Sequence, residues 1–154
     1  GGEAVPAVGN LFPGVVRDDG IDREALGKIV FDDPQALGGL ESILHPLVRK
    51  RQTAFLRVSA GQRRRLVVLD IPLLFETGAD STCDAVAVAS APFYLQSLRV
   101  LGRSGMTKEK FSGILARQMP DLEKRRRADF VIPTGLGRRV SLLSIREIIK
   151  VTTR

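Results

Sequence analysis

The chain has 154 residues, 44% apolar and 27% charged, with a net charge of +7. That composition fits one soluble globular domain with enough chain to bury a core, and no apolar run approaches the roughly 20 residues of a membrane span. One cysteine, Cys83, and one histidine, His45, exclude an intramolecular disulfide and leave a dedicated zinc site without ligands.

The N-terminus Gly1-Gly2-Glu3-Ala4-Val5-Pro6 has neither the basic nor the apolar region of a signal peptide, so the expected location is the cytoplasm. Val5, Val8, Leu11 and Phe12 recur at helical spacing, and Pro13-Gly14 ends that helix. Asp18-Asp19-Gly20 reads as a turn. Asp22 reads as the N-cap of a helix carrying Leu26, Ile29 and Val30 on one face. Asp33-Pro34 opens another, with Pro34 at its first position and an apolar stripe of Leu37, Leu40, Ile43 and Leu44. Pro46 predicts a break or kink after His45, with a further helix over about 47–58. This first third of the chain reads as helical, without a strand.

Leu66-Val67-Val68-Leu69 is a continuous apolar run ending at Asp70, with Pro72 just beyond. It reads as a strand buried on both faces. Ligands of open parallel sheets bind beyond the strand C-termini, which makes Asp70 and Glu76 candidates for a reaction centre. Residues 84–89 and 128–132 predict two more strands. Between them lie a helix over about 92–103, a second starting at its N-cap Thr107, and a short basic helix after Pro120. Thr134-Gly135-Leu136-Gly137 is a loop, and Val140, Leu143, Ile145, Ile148 and Ile149 mark a last helix. Helices alternating with apolar strands make an α/β fold with a parallel sheet.

The positive charge points to an anionic partner. Seven Phe, one Tyr and no Trp give little for bases to stack on, so a polyphosphate fits better than nucleic acid. Arg99 and Arg103 sit i,i+4, where guanidinium forks can clamp phosphate oxygens or simply form a solvated basic face. Asp70 can hold Mg²⁺, accept a proton or cap the turn before Pro72; Glu76 has the same readings. His45 can contact a ligand or serve as a polar residue at a kink. Cys83 reads as inert packing. The only Gly-Lys pair, Gly27-Lys28, is followed by Ile29, so these residues contain no Gly-x-x-x-x-Gly-Lys-Ser/Thr phosphate loop.

In that order, these stretches resemble the dephospho-CoA kinase family. The likeness runs through Gly20-Ile21-Asp22-Arg23, Val30-Phe31-Asp32-Asp33-Pro34, Leu40-Glu41-Ser42-Ile43-Leu44-His45-Pro46 and Asp70-Ile71-Pro72-Leu73-Leu74-Phe75-Glu76. It continues through Gln96-Ser97-Leu98-Arg99, Gly105-Met106-Thr107, Ala116-Arg117-Gln118-Met119-Pro120 and Ala128-Asp129-Phe130-Val131-Ile132. The resemblance implies a three-layer P-loop kinase-like fold for residues 1–154, with a helical CoA-binding subdomain over 5–58 and a lid over 97–127. The implied reaction moves the γ-phosphate of ATP, with Mg²⁺, to the ribose 3′-hydroxyl of dephospho-CoA, in a monomer or weak homo-oligomer away from membranes and nucleic acid. It implies that Arg99 and Arg103 clamp phosphates. It further implies that Arg23, His45, Leu73 and Leu74 bind substrate, and that Thr134 and Gly135 form the adenine-side loop.

The family begins with a strand, a P-loop and a second strand ending in the catalytic aspartate, and these residues start after that. The first two strands are therefore expected to be missing from the sheet, leaving a place unfilled between its third and fourth strands. The explanations are a longer natural chain, a shortened sequence, or a rearranged sheet. On this reading the 154 residues alone are inactive. The alternative is a non-catalytic module that binds CoA or nucleotide.

Overall fold

The computed structural model describes residues 2–18, 20–31 and 33–153. Gly1, Asp19 and Asp32, quoted above in the first segment, a turn and a motif, lie outside the described residues. The chain forms two compact units, Gly1–Val67 and Val68–Arg154.

The first unit holds α1 (Val5–Leu11), a short hairpin of β1 (Val16–Arg17) and β2 (Gly20–Ile21), α2 (Arg23–Val30) and α3 (Pro34–Gly61). Val8, Phe12 and Val15 are its buried centre, packed by Ile21, Leu26, Val30, Leu40 and Ile43. Gly9 is part of that fit, because a Cβ there would lie 2.7 Å from Val16 Cγ2. The predicted caps form. Asp22 accepts the amides of Glu24 and Ala25 at 3.1 and 3.0 Å, and Asp33 accepts those of Gln35 and Ala36 at 2.8 and 3.0 Å. The Ala25 amide bond, with Arg17 3.0 Å away, holds the Asp22 carboxyl below its ordinary pKa against the opposing effect of burial.

One expectation fails in this unit and another holds no further than a kink would allow. The segment is not strand-free, since β1 and β2 pair antiparallel with Val16 opposite Ile21. α3 also runs without a break through Pro46. Proline costs one amide bond and crowds the carbonyl four residues back, about 3 kcal/mol in a helix interior. Helical turns on both sides carry the helix through that defect.

The second unit opens with a 72–78 turn and a 3₁₀ turn at Ala79–Thr82. Next come β3 (Ala87–Ser90), α4 (Phe93–Leu101), α5 (Lys108–Ala116), α6 (Asp121–Arg127), β4 (Phe130–Pro133) and α7 (Arg138–Thr152). β3 and β4 are parallel, in register from Ala87↔Phe130 to Ser90↔Pro133. A parallel pair needs a long crossover, and α4 to α6 provide it. Asp129 sets the entry to the pair: its Oδ2 accepts the Val86 amide at 2.8 Å, while the Val86 carbonyl accepts the amides of Asp129 and Phe130. Phe93 stacks on Phe111 at 6.2 Å and joins α4 to α5. Thr107 caps α5 by accepting the Lys110 amide, and Lys110 Nζ reaches back to the Gly105 carbonyl at 3.0 Å.

The fold is α/β with a small parallel sheet, as expected, but the 66–69 run is not one of its strands. Val68 is 76% exposed. Strand geometry requires a hydrogen-bonded neighbour, and no described residue pairs with this run. Among the described residues no helix is long and apolar enough to cross a membrane.

Candidate active site

A cleft of about 930 Å³ in the second unit gathers the C-terminal ends of β3 and β4, Arg99, Arg103 and the 134–136 loop. Its position follows from the topology, because both parallel strands point their carboxyl ends at it. Pro92 starts α4 at the end of β3. Two turns on, Arg99 donates from Nη2 to the Thr134 carbonyl at 2.8 Å and from Nη1 to the Thr134 hydroxyl at 3.4 Å. That hydroxyl donates to the Ser90 carbonyl at 2.9 Å, so Arg99 is tied to both strand ends. α4 stops at Leu101, so Arg103 lies in the turn beyond it and not on the same helical face. Both arginines nevertheless line the same cleft.

Gly135 lets its loop press against the start of α4: a Cβ there would lie 2.8 Å from Pro92 Cδ and 3.2 Å from Leu95 Cδ1. The far wall is built by Gln118, Met119, Asp121, Lys124 and Arg125. Asp121 accepts the Ser90 hydroxyl at 2.8 Å. Residue spacing does not reveal Asp121 as a cleft residue or Glu76 as the partner of Lys124, since these partners come from distant parts of the chain.

The two candidate carboxylates separate. Asp70 is exposed, and among the described residues no hydrogen bond or ion pair forms to its side chain, so it does not cap the turn before Pro72. Nor does it end a strand. Glu76 is largely buried: its Oε1 accepts the Met119 amide at 2.7 Å and the Lys124 ammonium at 2.8 Å. Burial works to raise its pKa, but the Lys124 hydrogen bond and the Met119 amide outweigh it and hold the carboxyl below its ordinary value. Leu73 holds a left-handed backbone, φ +56°, its carbonyl accepting both the amide and the hydroxyl of Thr77. A bulky residue rarely adopts that conformation. Leu74 follows it, half-buried. In the first unit, Arg23 opens α2 and His45 precedes Pro46 on α3, both with exposed side chains. Cys83 is a free thiol. Among the described residues no group of three or more His, Cys, Asp or Glu could hold a metal.

The dephospho-CoA kinase family model matches residues 1–136. The chain belongs to the dephospho-CoA kinase family. It is 56% identical to a dephospho-CoA kinase of Rhodospirillum rubrum over 94% of this chain and 69% of that protein. It is 58% identical to one from Paramagnetospirillum magneticum over 81% of this chain and 59% of that protein. The match therefore spans only about two thirds of these relatives' own length. A crystal structure of TT1252 from Thermus thermophilus superposes with a TM-score of 0.77 at 32% identity, over 97% of this chain and 76% of that one. A dephospho-CoA kinase from Campylobacter jejuni gives 0.62 at 26% identity, over 92% and 71%. A family member of known structure thus shares the α/β fold described above.

Proposed function

We propose that the chain is the substrate-binding and lid portion of an enzyme that transfers the γ-phosphoryl group of ATP to the ribose 3′-hydroxyl of dephospho-CoA, giving coenzyme A. One observation carries this reading: Arg99 and Arg103 line the same cleft as the 134–136 loop at the ends of a parallel strand pair. In the transfer, the bond from the γ-phosphorus to its bridging oxygen breaks and releases ADP, a bond from phosphorus to the ribose oxygen forms, and the hydroxyl proton passes to a general base. The protein's task is to place both partners and neutralise the charge spread over the phosphoryl oxygens. The guanidinium groups of Arg99 and Arg103 supply that charge, while Thr134 and Gly135 border the adenine. On the acceptor side, Arg23, His45, Leu73 and Leu74 bind dephospho-CoA.

Mg²⁺ arrives with ATP and requires one or two carboxylates beside water and phosphate. Asp70 is free to take that place; Glu76 is committed to Lys124 and Met119. When bound, the ion withdraws charge from the phosphate oxygens. The working protein is read as cytoplasmic, a monomer or weak homo-oligomer.

The 154 residues alone are proposed to be inactive, because they contain no phosphate loop and no identified general base. Gly27-Lys28 lies inside α2, and Lys28 pairs with Glu24 at 2.9 Å. That observation also favours the second reading, a non-catalytic CoA- or nucleotide-binding module. Incubation with ATP, Mg²⁺ and dephospho-CoA separates the two. The enzyme reading expects no coenzyme A from these residues and coenzyme A once the family's strand–P-loop–strand segment is joined ahead of Gly1. No gain on joining it sinks that reading. Titration calorimetry that finds dephospho-CoA bound and ATP ignored supports the module.

A further inference from the structure

We propose that Glu76 is a positioning residue. Its carboxylate ties the 117–120 linker between α5 and α6 to the 72–78 turn, and sets the Lys124 ammonium in the cleft wall. The second half of this proposal rests on the cleft being the nucleotide site.

The geometry singles out Glu76 among the acidic residues. Its side chain is 15% exposed and that of Lys124 21%, unlike the solvated Glu24–Lys28 pair at 81% and 75%. Exposed pairs contribute little, whereas removing one member of a shielded pair strands the other charge. Oε1 takes both bonds, from the Lys124 ammonium and the Met119 amide, while the buried Oε2 has no partner. Loss of this one group therefore frees an ammonium and a backbone amide together.

The neighbouring contacts run the same way. Phe75 is buried, with the Arg127 guanidinium 4.8 Å from its ring centre, and Arg127 Nη2 holds Asp80 Oδ2 at 3.1 Å. Residues 75–80 thus grip the linker and one side of α6. Met119 and Lys124 in turn line the cleft with Arg99 and Arg103. A turn that includes the left-handed Leu73 is in this way coupled mechanically to the wall that faces the phosphates.

The test compares Glu76→Ala, Glu76→Gln and Arg99→Ala in this chain. It measures residue-resolved amide hydrogen exchange, and ATP binding by titration calorimetry. In Glu76→Ala, exchange at Met119 should rise roughly tenfold, while the β3 and β4 amides keep their rates. Glu76→Gln keeps an acceptor and should recover most of that protection. ATP affinity should fall about fivefold to tenfold in Glu76→Ala and roughly twofold in Glu76→Gln. Unchanged exchange at Met119 overturns the tie, as does a rise shared equally by β3 and β4, which would mark general loss of stability. A rise at Met119 with ATP affinity unchanged or tighter overturns the placing of Lys124. If unaltered chain and Arg99→Ala alike bind no ATP, the nucleotide reading of the cleft fails, and the exchange ratio still decides the tie.

Discussion

Leu66-Val67-Val68-Leu69 and Ala87-Val88-Ala89-Ser90 are both short apolar runs, and the more apolar of them is not the strand. The second run is bonded along its length to β4, which the α4–α6 crossover returns beside it and Asp129 holds in register. The first has no bonded neighbour among the described residues, and Val68 is open to solvent. Apolar side chains make a segment worth burying; only a partner for its amides and carbonyls makes it a strand.

Paired substitutions put this contrast under strain. Val86, buried at the entry to β3, should be the most sensitive point. Val86→Ser removes packed methyls and buries a hydroxyl, so the urea midpoint should fall by an amount equivalent to about 2–3 kcal/mol. Asp129→Ala leaves the Val86 amide without its acceptor and should cost ~1–2 kcal/mol in the same measurement. A cost near zero would show that the register is held elsewhere.

The pH dependence of melting sharpens the picture further. The folded pKa of Glu76 is depressed, so its contribution is complete at neutral pH. It should be lost as pH falls below roughly 4.3 and through the lowered folded value. Glu76→Gln should lack this part of the acid-side fall in Tm. The smallest effect is expected at Val68→Ser, within about 0.5 kcal/mol of the unaltered chain. A loss as large as that of Val86→Ser would mean that the 66–69 run is buried after all.

Much of the helical framework was legible from the residues. Asp22, Asp33 and Thr107 cap the helices they precede, since a cap reaches only two or three residues along the chain. Pro46 does not end its helix, because a proline's local cost is offset when turns on both sides remain helical. Arg99 and Arg103 were found through their spacing, yet what joins them is the cleft, since the helix ends between them. Lys124 stands out in the sequence only as part of the basic run 124–127. Its partner lies in the 72–78 turn, and spacing along a chain carries no record of such a meeting.

The sequence by itself determined the helix starts, the α/β alternation and the motif series that marks the family, because each depends on neighbours within a turn or on residue identity alone. The tertiary structure decided which apolar run became a strand, and which of two carboxylates stayed free. Asp70 and Glu76 are alike as residues, six positions apart. One stands in solvent, and the other is closed in by an amide 43 residues away and by the lysine of the following helix. Hydrogen bonds and charges act over a few ångströms of space, and only the folded chain says which groups come within that distance.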